Sequence, residues 1–229
     1  MKRLLFYLLA ACLAGTTAAS ADEFKIGIIV PSFGDPLSRE IIAGVEQAVT
    51  DINNAGGING ERVSLESSAD GSSTRSHLGI MERFSDESIR FVIADIRSSD
   101  FYHSVSAPYA KRAMLLFLTV PGAGLGPTDR SLWHTFRISK SDDQEAALAM
   151  KPFHPRKGHN GRQNAKPDAS VAQVYDAYGY AALQVIVDGV KQAGSTEVRS
   201  VATALHDGYS VDTVLGSVVF DGKGDIANR

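Results

Sequence analysis

The segment Asp51–Val63, DINNAGGINGERV, constrains the fold more than any other part of this 229-residue sequence. An apolar run with helical spacing finishes at Ile52, and the pair Gly56-Gly57 follows it. Glycine adopts the left-handed conformation that ends a helix, so this pair predicts a helix terminus. Asn59-Gly60 then predicts a tight turn into the alternating run Arg62–Ser67. A helix followed so soon by a strand is typical of an α/β domain.

The residues on either side of this segment predict a first βαβ unit. The run Phe24–Val30 is apolar and rich in β-branched residues, which is typical of a buried parallel strand. Asp35 is a suitable N-cap, and Pro36 stands where the start of a helix tolerates proline. Six apolar residues share one face of the predicted helix, namely Leu37, Ile41, Val45, Ala48, Val49 and Ile52. With the strand Arg62–Ser67 they predict a right-handed crossover.

The same alternation of helix and strand continues as far as residue 150. The residues Ser72–Thr74 predict a helix cap, and Ile89–Asp95 predicts the next buried strand. A helical stretch follows, in which Pro108 favours a late start or a kink. Met114–Val120 predicts a fourth strand, and Trp133–Ile138 predicts a short edge strand. The pattern therefore predicts an α/β fold built on a doubly wound, mostly parallel sheet.

The sequence changes character after residue 150. Lys151–Lys166 contains five Lys or Arg residues, two His and no acidic residue, and its lack of any helical or strand period predicts a solvated linker. Beyond it, the apolar spacing of Val171–Ile186 predicts a long amphipathic helix, and Ser195 is the expected cap of a shorter helix. Val211–Phe220 predicts one limb of a hairpin that is followed by Asp221-Gly222.

The first 21 residues have the composition of a secretory signal. Lys2-Arg3 provides a positive start, and Leu4–Ala14 is an apolar stretch too short to span a bilayer. Ala19-Ser20-Ala21 provides the small residues that precede cleavage, which places the expected mature start at Asp22. Cleavage removes two of the 23 basic residues and none of the 26 acidic ones, leaving 21 against 26, a net charge of −5. We therefore expect a protein that lies outside the cytoplasmic membrane, and its charge gives no reason to predict a nucleic-acid partner.

Cys12 is the single cysteine of the sequence and lies inside this signal. One interpretation makes Cys12 an ordinary residue of the apolar stretch, lost on cleavage. The other compares Leu9-Ala10-Ala11-Cys12 with a lipoprotein cleavage box, in which Cys12 would carry a lipid anchor. Both interpretations leave the mature chain without a disulfide, so its stability has to come from packing.

Three motifs in the sequence point to one protein family. The first is the DIN…GGI.G pattern within Asp51–Gly60, the second is YDAYGYAALQ at Tyr175–Gln184, and the third is FDGKGD at Phe220–Asp225. These motifs resemble those of periplasmic solute-binding proteins of ABC transporters, of the branched-chain amino-acid (Leu/Ile/Val) type. Members have the type I periplasmic fold, in which two α/β lobes joined by three crossovers enclose the ligand. The resemblance implies that the predicted sheet corresponds to lobe one.

On the family's plan, the chain passes from the first crossover directly to the segment that returns to lobe one. The strands and helices of lobe two would belong between Met150 and Pro167, where the sequence lacks them. The resemblance thus divides the chain into a signal peptide (1–21), a lobe-one α/β domain (22–150), a basic junction that replaces most of lobe two (151–169), and returning helices with a hairpin that complete lobe one (170–229).

The resemblance implies a substrate-binding component of an ABC importer for branched-chain amino acids or related amides. Its partners would be a small-molecule ligand and a membrane permease, with no cofactor, no metal and no catalysis. Because such proteins bury the ligand only when two lobes close on it, the missing lobe predicts weak or absent binding. The alternatives are a free-standing periplasmic receptor or sensory module and a secreted α/β hydrolase. For the hydrolase, Ser99, Asp100 and His103 are the one candidate constellation.

Two loops at the expected carboxyl ends of the strands are candidates for ligand binding. The first is Arg97–Asp100, which follows a predicted strand and opens a helix whose first N–H groups attract anions. The resemblance places Ser98 at the serine that binds the ligand carboxylate in the family, with Ser99 beside it. The competing interpretation is that both serines only cap the helix, and the two roles are compatible.

The second loop is Thr119–Gly126, TVPGAGLG. Family members have P-G-A-T here; Gly122 and Ala123 match this motif, but Gly124 stands in place of the threonine. Counting forward from Ser98 instead brings Thr119 near the ligand. The acid that pairs with the ligand ammonium comes from lobe two in the family, and the sequence offers no candidate for it. Since a desolvated amino acid needs both charges compensated, lobe one alone is expected to supply only the anion-binding half.

Overall fold

The structure, a computed structural model, describes residues 23–120, 133–139 and 169–227. Seven strands lie in these ranges: β1 (Glu23–Val30), β2 (Arg62–Ala69), β3 (Phe91–Ala94), β4 (Leu115–Leu118), β5 (Thr135–Arg137), β6 (Ser210–Thr213) and β7 (Gly216–Val219). The same ranges contain five helices: α1 (Pro36–Asn54), α2 (Thr74–Asp86), α3 (Ser99–Lys111), α4 (Ala169–Ala193) and α5 (Val198–His206). The predicted signal peptide, Gly122, Ala123 and the linker 151–166 lie outside the described residues.

Strands β1 to β5 form one sheet in the order β2-β1-β3-β4-β5, and every neighbouring pair in it is parallel. Strands β6 and β7 form a separate antiparallel hairpin. Helices cover both faces of the sheet, with α1, α4 and α5 on one face and α2 and α3 on the other. The prediction of a doubly wound, mostly parallel α/β sheet is therefore confirmed.

The apolar run of β1 fills the core on both faces of the sheet. Ile26 and Ile28 belong to the core formed with α1 and α4, whereas Ile29 belongs to the core formed with α2 and α3. Successive side chains of a strand point to opposite faces, so a strand covered on both sides is apolar throughout. Gly27 leaves room for the ring of Phe84, since a Cβ at this position would lie 2.5 Å from the ring. Within the described residues, no helix is both long enough and apolar enough to cross a membrane.

The Asp51–Val63 segment folds as its sequence predicts. α1 ends just before the pair Gly56-Gly57, whose φ angles are +102° and +77°. A Cβ on Gly57 would lie 1.9 Å from the carbonyl oxygen of Glu61, so the turn requires glycine there. Asn53 then joins helix to strand: its side-chain amide donates to the carbonyl of Val63 at 2.9 Å, and its side-chain oxygen accepts the N–H of Val63 at 2.8 Å. The motif thus sets the position of β2 relative to α1.

Helices α1 and α4 pack so closely that their backbones touch. The contact depends on one glycine in each helix. A Cβ on Gly44 of α1 would lie 1.9 Å from the carbonyl oxygen of Asp176, and a Cβ on Gly179 of α4 would lie 2.2 Å from the carbonyl oxygen of Ile41. A side chain on either glycine would therefore force the two helices apart.

The three sequence motifs make direct contacts within this fold. The hydroxyl of Tyr180, in the second motif, donates to Asp51 Oδ2 of the first motif at 2.9 Å, although the two residues are 129 positions apart. The third motif contacts the sheet through its backbone, because the carbonyl of Gly224 accepts the N–H of Arg137 in β5 at 2.8 Å. A Cβ on Gly224 would lie 1.9 Å from the carbonyl oxygen of Thr135, so this approach also requires glycine.

Two details of the helices differ from the sequence prediction. α3 begins directly after Ser98 and continues through Pro108, so the predicted late start is wrong. α5 is capped by Glu197 rather than by Ser195, because the two oxygens of the Glu197 carboxylate accept the N–H groups of the next helical residues at 3.0 and 2.7 Å. Ser195 instead accepts the N–H of Glu197 itself at 3.0 Å.

The hairpin near the end of the chain is shorter than predicted. Both strands and the turn between them lie within Ser210–Val219, almost the same range that the sequence assigned to a single limb. Gly216, with a φ of +96°, begins β7. The residues after it form a second turn, in which Asp221 Oδ1 accepts the N–H groups of Lys223 and Asp225 at 2.8 and 3.0 Å. Asp221, which the sequence predicted directly after a hairpin limb, therefore closes a separate loop.

We expect Gly44→Ala and Gly179→Ala to destabilise the fold, because each added Cβ meets a backbone oxygen of the opposite helix. Overpacking of this kind costs about 1–3 kcal/mol. Urea unfolding followed by circular dichroism measures the change in the free energy of unfolding. Gly79→Ala, on the exposed side of α2, is the matched control, since nothing lies within 4 Å of its added Cβ. This variant should be as stable as the wild type or more stable by up to about 1 kcal/mol, because alanine favours a helix more than glycine does. Wild-type stability of Gly44→Ala would contradict the contact.

Asp176 lies half-buried at the contact between α1 and α4. Burial raises the pKa of Asp176 from 3.8 to about 6; the N–H of Ala177 partly offsets this rise and the nearby charge of Glu40 adds to it. Because the pKa in the folded chain lies above the unfolded value, Asp176 binds its proton more tightly when the chain is folded. The free energy of unfolding therefore gains a contribution as the pH falls through 6 towards 4.

We expect Asp176→Asn to remove this part of the pH dependence. At pH 7.5 the variant should be more stable than the wild type by on the order of 1–2 kcal/mol, and the difference should shrink towards pH 4 because wild-type Asp176 is then protonated. Urea unfolding at several pH values provides the measurement. Asp86→Asn, at the exposed end of α2, is the control for removing a negative charge. A difference between Asp176→Asn and wild type that stays constant with pH would rule out this titration.

Candidate functional site

The order of the strands creates a topological switch point between β1 and β3. From the end of β1 the chain enters α1 on one face of the sheet, and from the end of β3 it enters α3 on the other face. In doubly wound folds, helices that diverge in this way leave a crevice at the carboxyl edge of the sheet, and ligands bind there. In the described part of the chain, residues 31–35 and 95–98 form the loops at this position.

Four side chains at this crevice form one hydrogen-bonded group, which we call the switch-point cluster: Asp35, Ser38, Asp95 and Arg97. Arg97 binds Asp95 through two hydrogen bonds, from Nε to Oδ1 at 2.8 Å and from Nη2 to Oδ2 at 2.5 Å. Nη2 also donates to Asp35 Oδ2 at 2.5 Å, and Ser38 Oγ donates to Asp95 Oδ2 at 2.9 Å. The cluster therefore ties the start of α1 to the end of β3.

The cluster is partly exposed and carries one negative charge in excess, since two carboxylates surround one guanidinium. The side chain of Asp95 is fully buried, whereas Arg97 is 36% exposed and Asp35 is 28% exposed. The hydrogen bond from Arg97 holds the pKa of Asp35 at about 2, below its usual 3.8. Hydrogen bonds to Asp95 and then to Asp35 raise the pKa of Arg97 above its usual value. The stability contributed by Asp35 is thus present above about pH 4 and is lost as the pH falls towards 2.

Ser98 and Ser99 lie at the same edge, where α3 begins. Ser98 is the N-cap of α3, and its Oγ accepts the N–H of Phe101 at 3.4 Å. Ser98 is exposed, Ser99 is half-buried, and among the described residues the N–H groups of Ser99 and Asp100 have no hydrogen-bond partner, as expected in a first helical turn. The capping role of Ser98 is confirmed, and contact of Ser98 and Ser99 with a ligand stays a prediction.

Thr119 lies just after β4, at the same edge of the sheet. Its side chain is fully buried, and both its Oγ1 and its N–H donate to the carbonyl of Ala94, at 3.4 and 3.3 Å. The hydroxyl of Thr119 is therefore engaged between the ends of β3 and β4. A ligand contact by Thr119 stays a prediction, as do contacts by Gly122 and Ala123, which lie outside the described residues.

The switch-point cluster is not predicted from the sequence. The sequence predicts Asp35 only as a helix cap, Asp95 only as the end of a strand and Arg97 only as the first residue of a loop. The signal was available in principle, because charged residues follow two neighbouring buried strands whose carboxyl ends meet at one edge. Finding it requires the strand order, in which β1 and β3 are neighbours.

Two aromatic residues complete this edge of the described structure. Tyr175 of α4 lies close enough to the cluster for the charges of Arg97 and Asp95 to act on its phenol. Burial raises the pKa of Tyr175, the charge of Arg97 lowers it, and the charge of Asp95 raises it. Phe33, in the loop after β1, is 50% exposed. The loops at this edge therefore carry charged groups and one exposed apolar side chain, and binding sites for amphipathic small molecules combine groups of these two kinds.

The structure does not bring the candidate hydrolytic residues into a catalytic arrangement. Ser99, Asp100 and His103 all lie on α3, where Asp100 and His103 are exposed. Among the described residues, no hydrogen bond joins any two of these three side chains, whereas a nucleophile and its base need such contact. The described ranges also contain no group of three or more His, Cys, Asp or Glu residues arranged to hold a metal ion.

A second polar network lies at the ends of β2 and α3 but is closed to solvent. His77 Nδ1 is 2.7 Å from Asp70 Oδ2, and His77 Nε2 is 2.8 Å from the hydroxyl of Tyr109. All three residues are buried, and burial raises the pKa of Tyr109 well above its usual range. The network joins α2 to α3 and has no surface on which a solute could bind.

Comparison with known proteins gives relatives whose names agree with the family that the three motifs resemble. No family model matches the chain. The chain is 33% identical over 155 residues to Leu/Ile/Val-binding protein homolog 1 of Brucella abortus (strain 2308), which covers 65% of this chain and 40% of the relative. It is 31% identical over 198 residues to the Leu/Ile/Val-binding protein BraC3 of Rhizobium johnstonii (strain DSM 114642 / LMG 32736 / 3841), covering 83% of this chain and 50% of the relative. The chain thus spans two fifths to half the length of these relatives.

Solved structures with the same fold are substrate-binding proteins of ABC transporters. One is such a protein from Desulfitobacterium hafniense in complex with Leu, with a TM-score of 0.66, 18% identity and coverage of 90% of this chain and 95% of that one. Another is the branched-chain amino acid transporter substrate-binding protein LivJ of Streptococcus pneumoniae in complex with isoleucine, with a TM-score of 0.66, 13% identity and coverage of 90% and 94%. The described part of the chain therefore shares its α/β fold with these substrate-binding proteins, and its resemblance to branched-chain amino-acid binding proteins is confirmed.

We expect Arg97→Ala to lower the free energy of unfolding by roughly 2–4 kcal/mol, because it leaves the buried carboxylate of Asp95 without its counter-charge. Arg112→Ala is the matched control: Arg112 is also 36% exposed, but its partner Glu82 is 56% exposed. Its loss should cost at most about 1 kcal/mol. Urea unfolding compares the two variants, and equal losses would show that the cluster does not stabilise the fold.

Proposed function

We propose that this chain is a periplasmic substrate-binding component of an ABC importer for branched-chain amino acids or closely related amides. The observation that carries the proposal is its similarity to two Leu/Ile/Val-binding proteins, together with a switch-point crevice in the part of the fold where ligands bind. The partners in this proposal are the amino acid or amide and the membrane permease that receives it. The chain delivers the solute and catalyses no reaction.

The crevice offers groups suited to an aliphatic amino acid. The hydroxyl of Ser98 and the N–H groups of Ser99 and Asp100 stand at the positive end of α3, where an anion is favoured. We assign the solute carboxylate to these donors, and we place Thr119, Gly122 and Ala123 on the neighbouring side of the same edge. Phe33 supplies exposed apolar surface for the aliphatic side chain.

The length of the chain leads us to propose that its affinity is low. It spans 40–50% of the relatives that it matches. We propose that the basic junction 151–169 stands in place of most of lobe two. A solute held by two lobes with a Kd of about 1 μM has a binding free energy of about −8 kcal/mol, and half of that corresponds to ~1 mM. We therefore propose an impaired, one-sided binding site. We propose a periplasmic location because residues 1–21 have the composition of a signal peptide. The alternative is a periplasmic protein that is anchored to the membrane by a lipid on Cys12.

We expect leucine, isoleucine and valine to bind with a Kd of ~1 mM, because a single lobe should provide about half of the binding free energy of two lobes. An NMR titration of ¹⁵N-labelled protein measures the affinity and shows whether the shifting amides belong to residues 33–35 and 97–100. Lysine, whose charged end has no match on the apolar surface at Phe33, is the control ligand.

Ser98→Asp tests the assignment of the carboxylate. Aspartate is as good an N-cap as serine, so α3 should stay intact while the added negative charge repels the solute carboxylate. Ser195→Asp, ahead of α5, is the matched control. A Kd near 1 μM for leucine would contradict the one-sided site, and a lack of any saturable shift would contradict the proposed function.

A further inference from the structure

The ion pair between Asp35 and Arg97 has one unused polar atom on each side. The hydrogen bonds to Asp35 all end on Oδ2, where it accepts from Ser38 and Arg97. The hydrogen bonds from Arg97 all leave from Nε and Nη2. Within the described residues, Asp35 Oδ1 and Arg97 Nη1 therefore have no partner. Both side chains are partly exposed, at 28% and 36%.

We propose that this pair binds both charged groups of a free α-amino acid: Asp35 Oδ1 accepts hydrogen bonds from the ammonium, and Arg97 Nη1 donates to the carboxylate. The inference rests on the proposed function and adds to it the recognition of the ammonium group. The sequence offered no acid for that group and left it to lobe two. The pair would make Asp35 the residue that selects amino acids over simple carboxylates.

The geometry of the pair matches the head group of an amino acid. Asp35 and Arg97 already share a hydrogen bond, so their unused atoms belong to adjacent groups. The ammonium and the carboxylate of an α-amino acid are likewise adjacent, because one carbon carries both. Arg97 directly precedes Ser98, the N-cap of α3, so both residues belong to the loop between β3 and α3 at this edge of the sheet.

Both binding groups are held in place before a solute arrives. The bidentate contact with buried Asp95 fixes the plane of the Arg97 guanidinium. Asp35 is fixed as the N-cap of α1, since its Oδ2 accepts the N–H of Ser38 at 2.9 Å. Groups that are already ordered lose little entropy on binding. The pair therefore needs no rearrangement to accept a ligand.

The charge of the cluster favours a zwitterion over an anion. Two carboxylates face one guanidinium, so a simple carboxylic acid adds a second excess negative charge, whereas an amino acid brings its own positive charge. Because the hydrogen bond from Arg97 holds the pKa of Asp35 at about 2, its carboxylate is ionised at neutral pH. Leucine should therefore bind more tightly than 4-methylpentanoate, which has the same carbon chain without the ammonium.

Asp35→Asn tests this assignment on the purified chain. Asparagine is an N-cap of the same quality and the same size, so α1 should form normally while the charge is removed. We expect the Kd for leucine to rise by about 10- to 100-fold, the value of a hydrogen bond to a charged group. The Kd for 4-methylpentanoate should stay the same or fall, because a repulsive charge is gone.

Glu197→Gln is the matched control, since Glu197 is also an acidic N-cap but lies beyond the far end of α4. It should bind leucine like the wild type. If Asp35→Asn does not fold by circular dichroism, Asp35→Ser replaces it, because serine is also a neutral N-cap.

The outcomes separate this inference from the proposed function. A selective loss of leucine affinity in Asp35→Asn supports the inference. Unchanged leucine affinity, an equal loss for leucine and 4-methylpentanoate, or an equal loss in Glu197→Gln would each overturn it while leaving the proposed function standing. If the wild type binds none of the aliphatic amino acids, the proposed function fails first, and the inference that depends on it fails too.

Discussion

The backbone contact between α1 and α4 is the interaction on which the rest of the structure depends. Gly44 and Gly179 allow the two helices to touch, and this contact brings a helix from late in the chain onto the first one. α5 and the β6–β7 hairpin then complete the same core. The contact also has a consequence for the site, because it places Tyr175 near Arg97 at the carboxyl edge of the sheet. The contact at Gly179 thus positions the side chain of Tyr175, which lies one helical turn earlier in α4.

The sequence predicts the parts of the fold that short-range rules govern. The glycine turn after α1, the Asp35 cap and the apolar strands depend on residues that are close together along the chain, and each of them is confirmed. Gly44 and Gly179 were not singled out, because their steric partners lie more than a hundred positions away in the sequence. The hairpin turn was misplaced because two neighbouring Gly-containing turns give similar local signals.

The switch-point cluster was missed for a related reason. Asp95 meets Ser38 only because β1 and β3 are neighbours in the register that pairs Ile29 with Ala94. The spacing of residues within the loops 31–35 and 95–98 does not predict that register. The sequence did predict the correct edge of the sheet, because Ser98 follows a buried strand and opens a helix. It therefore locates the candidate site but does not predict its charges.

The two polar networks of the described structure contain similar groups and differ in their access to water. Asp70, His77 and Tyr109 satisfy one another inside the core, so the network can only stabilise the packing of α2 and α3. The switch-point cluster is buried on the side of Asp95 and open on the side of Asp35. A network of the second kind remains able to exchange a water contact for a solute contact.

The turn that contains Gly224 protects an exposed margin of the sheet. In the described part of the chain, β5 is the last strand on its side, and such a strand offers unpaired N–H and C=O groups to any extended peptide nearby. The Asp221–Asp225 turn occupies part of that margin, where Arg137 donates its N–H to Gly224. Residues more than eighty positions further along the chain thus occupy a surface on which another molecule could otherwise add a strand. Loss of the turn would expose this margin to self-association.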